Sequence, residues 1–171
     1  LAVLSALAAI MIYIWFRFEW QYSIVAILAL SHDVISTIGF FSLTSFEFNL
    51  ATIAAILTIA GYSINDTVVV FDRIRENFRR YKSWEQNDII NKSLNETLSR
   101  TVMTSITTAL ALIAIMVFGG PVLRDFAAAM LWGVLIGTYS SIFIAAGMLT
   151  YVTLNISGDE SSDIPTPEFE E

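Results

Sequence analysis

Residues 50–77 read LATIAAILTIAGYSINDTVVVFDRIREN. The first part is apolar over a length that crosses a bilayer as helix, and the last six residues are polar or charged except Ile74. Between them, residues 61–67 (GYSINDT) place a phenol, a carboxamide, a carboxylate and two hydroxyls within the apolar run. Backbone at that depth must bond to itself, so the stretch reads as a membrane-spanning helix over about 50–71. The run Asp72-Arg73-Ile74-Arg75-Glu76-Asn77 continues the same helix beyond the interface.

Working outward from this span, four more apolar runs stand at about 1–16, 22–43, 101–118 and 126–154, each near or above the spanning length. The expected fold is therefore all-α: a polytopic transmembrane bundle of five spans. The composition agrees, because 56% hydrophobic residues against 15% charged is more apolar side chain than a soluble domain of 171 residues can hide. The chain starts with Leu1 inside an apolar run, without Met or a basic leader. This reads as a piece of a longer protein, not as a signal peptide.

Three connections, 17–21, 44–49 and 119–125, are short, which makes the spans they join antiparallel neighbours. The fourth, 72–100, carries Arg73, Arg75, Arg79, Arg80, Lys82, Lys92 and Arg100. Arg17 falls on the same side, and the other side offers only Arg124. The excess of positive charge places the long loop and the C-terminal tail in the cytoplasm. Within the loop, Ser83 and Gln86 have capping-box spacing, and Ile90, Leu94 and Leu98 recur every four residues. These features predict a separate amphipathic helix on the membrane surface or against the bundle. Residues 155–171 hold six acids, no Lys or Arg, and Pro165 and Pro167, and read as a disordered tail. That tail supplies nearly all of the net charge of −7, so the charge argues nothing about nucleic acid, and no such partner is expected. With no cysteine, one histidine, no phosphate loop and no nucleophile elbow, neither a metal site nor an enzymatic activity is expected.

Ionisable groups inside hydrocarbon are costly unless paired or hydrated, so they mark candidate functional positions. His32 and Asp33 sit near the middle of the second span, with Ser36 and Thr37 one turn on. In the third span Tyr62 and Asp66 are i,i+4 neighbours, as are Gly61 and Asn65. Asp66 lies roughly 7 Å inside the cytoplasmic end of its span, at about 1.5 Å per residue. Arg100 opens the next, antiparallel span at that end, and a side chain of its length can reach down to Asp66. A carboxyl balanced between desolvation and a nearby cation, with access to water, can take up and release a proton. The same residues have a plainer reading as polar contacts between helices, and both readings stand at this point. So does the plainer one for His32, Asp33 and the stripe Thr101, Thr104, Ser105 and Thr108, which either packs or lines a water path. Gly133, Gly137 and Ser141 form a small-xxx-small ridge on which another helix can approach closely, and Gly61 has the same character. The loop 119–121 (GGP) reads as a tight turn, and the basic loop residues can touch lipid headgroups.

The segment GYSINDTVVVFDRIREN, with HDV at 32–34, LSRT at 98–101 and FGGPVLRDF at 118–126, resembles the SecD/SecF family of protein-export membrane proteins, within the resistance-nodulation-division superfamily. The RIREN continuation and the loop after it are closer to the SecF branch. The resemblance covers about residues 1–154. It implies that Asp66 and Arg100 belong to a proton path and that protons are the coupling ion, with no other cofactor. Asp33 matches the Asp of the family's HDV segment, and Asp33, His32, Asn65, Tyr62 and Thr104 are expected to be either relay groups or polar contacts between helices. The implied partners are SecD, the SecYEG channel and a preprotein, in the bacterial inner membrane. It also implies a preceding span and a periplasmic domain outside this sequence, the five spans here being the family's second to sixth. Two other roles remain at this point: another proton-coupled exporter of the superfamily, and a non-conducting assembly subunit.

Overall fold

A computed structural model describes residues 2–44 and 50–152, and the described residues are helical with short connections. The helices are α1 (Ala2–Arg17), α2 (Trp20–Thr44), α3 (Leu50–Arg80), α4 (Gln86–Phe118) and α5 (Gly120–Tyr139). A π-helical turn, Ser140–Ala145, and a last short helix, α6 (Ala146–Leu149), continue α5 without a break. The predicted tail at 155–171 lies outside the described residues.

Four stretches are long and apolar enough to cross a membrane: Trp20–Thr44, Leu50–Arg80, Gln86–Phe118 and Leu123–Leu149. The expected first span falls short of this. α1 has 16 residues, about 24 Å of helix against a hydrocarbon core of about 30 Å. It nevertheless anchors in the bundle. Ile14 and Phe18 are buried against α2 and α3, where Phe18, Tyr22 and Phe71 form an aromatic cluster with ring centroids 5.3–6.1 Å apart. Arg17 then pairs with Asp72 at 2.8 Å, which puts the α1–α2 turn at the same end as the polar extension of α3.

The predicted surface helix does not exist as a separate element. α4 runs unbroken from Gln86 to Phe118, so the sequence's polar loop and its fourth span are one rod of 33 residues. The polarity changes near Arg100, but residues 81–118 contain neither Gly nor Pro, so nothing in the backbone stops the helix there. The capping box is not formed either. Glu85 occupies the N-cap without a side-chain bond. Gln86 instead donates its amide to the carbonyls of Leu149 and Val152, at 2.7 and 2.8 Å, which satisfies the open carbonyl end of α6. Of the expected apolar face Ile90, Leu94 and Leu98, Leu98 is exposed. The buried face is Ile89, Ile90, Ser93, Thr97 and Thr101, turned toward α3.

The α3 extension and the first turns of α4 thus make a helical hairpin, tied by polar bonds. Asn77, 1% exposed, gives one amide hydrogen to Ser93 Oγ at 2.9 Å and one to Glu96 Oε2 at 2.8 Å. Arg73 Nε donates to the same Glu96 oxygen at 2.7 Å, and Lys92 Nζ stands 3.1 Å from Glu96 Oε1. Asn77, then Arg73, favour the ionised form of Glu96 and hold its carboxyl at about 2.

At the other end the turn between α4 and α5 is tighter than the seven-residue connection expected at 119–125. Gly119 follows α4 directly, Gly120 adopts φ +77, which favours glycine, and Pro121 starts α5 in its first turn.

The seam between α3 and α5 sets the register of the bundle. A Cβ on Gly133 would stand 2.3 Å from the Ile59 side chain, and one on Gly137 would stand 3.2 Å from Ser63 Cβ. One turn further, Ser141 Oγ meets Thr67 Oγ1 at 2.9 Å. The pairs 59/133, 63/137 and 67/141 advance together by four residues, so the two helices run parallel with their backbones close. Gly61 lies elsewhere on α3. It is exposed, and a Cβ there would meet no atom of this chain.

Candidate functional site

The seam converges on Asp33. This residue of α2 is fully buried, and its Oδ2 accepts hydrogen bonds from Ser63 of α3 and, at 2.7 Å, from Ser140 of the π-turn. Its Oδ1 lies 3.0 Å from His32 Nδ1, and the His32 side chain is 41% exposed. Thr37 donates back to the Asp33 carbonyl at 2.7 Å. A buried charge is tolerated when it is hydrogen-bonded on every side, and Asp33 meets that condition with groups from three segments.

The π-turn starts beside this acid. Neighbouring helical residues point in different directions, so Ser140 and Ser141 serve different partners. Ser140 faces α2 and bonds Asp33, while Ser141 faces α3, bonding Thr67 and the Ser63 carbonyl. Single π-turns inside α-helices recur at functional sites.

One turn along α3 from Ser63, Asp66 has a different environment. It is 4% exposed, yet its Oδ2 has no hydrogen-bond partner. Two more buried oxygens nearby in sequence or on the facing helix, Tyr62 Oη and Thr101 Oγ1, are also unpartnered. Arg100 is close enough for its charge to act on Asp66, but its side chain is exposed and joins no ion pair among the described residues. The reach from Arg100 to Asp66 expected from the sequence is therefore electrostatic here, not a contact. Asn65 is exposed. Thr104, half-buried, donates to the Arg100 carbonyl at 2.8 Å, and Ser105 meets Thr138 of α5 at 2.5 Å.

Asp33 and Asp66 thus stand at neighbouring levels of one bundle, and His32 and Tyr62 lie beside them in sequence. The hydroxyls of Ser63 and Ser140 are the partners that sequence reasoning missed. Ser63 sits inside the GYSINDT run and Ser140 beside the ridge residue Ser141, but nothing in linear spacing says which hydroxyl faces which acid.

The profile of the family described as "Protein export membrane protein SecD/SecF, C-terminal" matches residues 1–155. The chain belongs to that family. Among its relatives is the protein translocase subunit SecF of Rhodobacter capsulatus, 53% identical over 98% of this chain and 50% of that protein. The SecF of Rickettsia akari is 56% identical over 88% of this chain and 49% of its own. This SecD/SecF chain therefore spans about half the length of the curated relatives it matches. Its fold is that of SecDF, a translocon-associated membrane protein from Thermus thermophilus, with a TM-score of 0.84 and 49% identity over 88% of this chain and 21% of that one. A crystal structure of SecDF in a super-membrane-facing form gives a TM-score of 0.80 at 49% identity, covering 85% of this chain and 20% of that one.

Proposed function

We propose that this chain is the membrane half of a SecF-type accessory subunit of the Sec protein translocase, in which proton movement through the bundle promotes preprotein export across the bacterial inner membrane. SecD and the SecYEG channel are its partners in this reading. Asp66 is the residue that takes up and releases the proton, and Arg100 is the cation that answers its change of charge. The observation that carries the reading is the Asp66 carboxyl: buried, with an oxygen no group satisfies, and within range of a cation that is not bonded to it. A carboxylate kept only as a structural lock is expected to be fully bonded, as Asp33 is. An acid that must exchange protons needs a free site and a mobile counter-charge.

In the proposed cycle, a protonated Asp66 loses its attraction for Arg100 and α3 and α4 repack; release of the proton restores the first arrangement. One charge crossing the membrane supplies about 2.3 kcal/mol per 100 mV, enough to bias two packings of one bundle. Export of lipids or drugs by a proton-coupled relative is the competing use of such a core, and the SecF names of the matched relatives favour the first.

The test is Asp66→Asn in the full-length protein, with preprotein export into vesicles measured with and without a proton gradient. Loss of the gradient-dependent part, with the complex with SecD still assembled, is the expected result. Unchanged export would remove Asp66 from the proton path.

A further inference from the structure

The cations of the α3–α4 hairpin divide into two groups. Arg73 is bonded to Glu76 and Glu96, Lys92 to Glu96, and Arg75 lies 3.9 Å from Glu19. Arg79, Arg80 and Lys82, at the tip, are exposed and join no ion pair among the described residues. They surround an aromatic pair. The rings of Tyr81 and Trp84 are 4.6 Å apart; the Arg80 guanidinium lies 5.7 Å from the Tyr81 centroid, and the Lys92 ammonium 5.4 and 6.0 Å from the two centroids. Trp84 is exposed. The acids of the tip, Glu85 and Asp88, stand at the start of α4, where the helix dipole favours negative charge. They do not pair with the three free cations.

The tip also holds the end of the last span. Gln86 donates to the carbonyls of Leu149 and Val152, so the chain passes into residues 153–171, outside the described residues, from a point beside the tip. That stretch contains Asp159, Glu160, Asp163, Glu168, Glu170 and Glu171, no Lys or Arg, and Phe169 among its last acids. Its reach is ample. An extended chain covers at most about 3.6 Å per residue, so Val152 to Asp159 spans up to about 25 Å, and Gln86 to Lys82 no more than about 14 Å. Exposed ion pairs are individually weak, but a short tether holds the acids at an effective concentration of about millimolar beside the cations. The rival for these cations is an anionic lipid headgroup. Measured along α4, the tip stands about 20 Å outward of Arg100, where the helix turns polar, whereas the headgroup layer is about 5–8 Å thick. Distance and tethering both favour the tail.

We propose that the acidic residues 159–171 dock on the hairpin tip of their own chain, with carboxylates against Arg79, Arg80 and Lys82 and the segment lying over Trp84. The docked tail is a strap. It adds an electrostatic tie to the Gln86 hydrogen bonds between α4 and the last span, and so restrains the outer end of the rod that carries Arg100. This goes beyond the Asp66 relay and stands without it.

The test reads the contact directly. Residues 1–171 contain no cysteine, so Ser162→Cys in an otherwise cysteine-free full-length protein takes a single bimane label, whose fluorescence tryptophan quenches at contact range. In phosphatidylcholine vesicles at about 0.1 M salt the label is expected to be quenched, and Trp84→Phe should brighten it severalfold. Raising the salt to about 1 M shortens the screening length from about 10 to about 3 Å and should brighten the parent protein toward the Trp84→Phe level. Joint Arg79→Gln, Arg80→Gln and Lys82→Gln should do the same. So should joint Asp159→Asn, Glu160→Gln and Asp163→Asn, which leave the helices untouched. Adding phosphatidylglycerol to the vesicles should leave the quenching in place. A label indifferent to Trp84→Phe, or quenching indifferent to salt and to both sets of charge changes, would overturn the strap. Quenching abolished by phosphatidylglycerol would assign the tip to lipid instead. Quenching restored to a labelled Trp84→Phe protein by unlabelled parent protein would assign the tail to a second copy, and either result also overturns it.

Discussion

The two sides of α3 are built to different standards. On the side toward α2 and α5, Ile59 fills the groove over Gly133, Ser63 bonds Asp33, and Thr67 bonds Ser141. On the other side Gly61 faces open space and Asn65 is exposed, and between the two faces Tyr62 Oη and the buried Asp66 Oδ2 have no partner. The two aspartates therefore hold different positions in the energetics, although each is a carboxyl inside a span. Full satisfaction makes Asp33 a structural hub whose loss is felt throughout the bundle. Incomplete satisfaction leaves Asp66 free to change state at little cost to the fold.

The sharpest way to break this contrast is to remove each acid in turn. Asp33→Ala strands the hydroxyl of Ser63, leaves Ser140 only its bond to the Gly137 carbonyl, and should lower stability by about 3 kcal/mol, measured by denaturant unfolding in detergent. Asp66→Asn should change stability by less than about 0.5 kcal/mol in the same assay. Equal losses would erase the distinction. The next largest effect tests the packed side alone. Gly133→Val would drive a side chain into Ile59 and should destabilise by about 1–3 kcal/mol.

Much of the packed side was legible in the sequence. The four-residue spacing of Gly133, Gly137 and Ser141 identifies a close helix contact because only small side chains permit one. The span limits were legible where polarity and backbone breaks coincide. They failed at 81–101, because the reading split one helix at a change of solvent, and a helix with no Gly or Pro need not end where water does. The π-turn was not legible at all, nor was which distant groups Ser140 and Ser141 meet. Gln86 misled for the same reason: its spacing to Ser83 fits a local cap, and a tertiary partner took the amide instead. Linear depth set Asp66 and Arg100 at one level, but it did not tell that their side chains stand apart.

A third prediction carries the comparison down α3 to the hairpin, where satisfaction is again complete. Asn77→Ala removes both amide bonds and should cost about 1–2 kcal/mol. The hairpin should also weaken in acid. The Glu96 carboxyl is held below its ordinary value of 4.5, at about 2, so its stabilising contribution is fully present above 4.5 and is lost as the pH falls toward 2. The protection of the α3–α4 hairpin amides, taken relative to the intrinsic exchange rate at each pH, should fall across that range in the parent protein, and less so in Glu96→Gln. The smallest effect belongs to the open side. Gly61→Ala meets no atom and gains helix propensity, so stability should stay level or rise by about 0.5–1 kcal/mol. A loss there in the isolated subunit would mean that the open side is filled after all.

The continuity of α4 has a mechanical consequence. From Arg100 to its first residue, Gln86, the rod extends about 20 Å, and no hinge residue interrupts it. A rod of that length, with the turns bonded to it, carries any tilt made within the bilayer outward to its tip. A tilt of a few degrees that barely alters the gap between Arg100 and Asp66 sweeps the paired rings of Tyr81 and Trp84 at the tip through about 1–3 Å, which makes their fluorescence a gauge of events buried a membrane leaflet away.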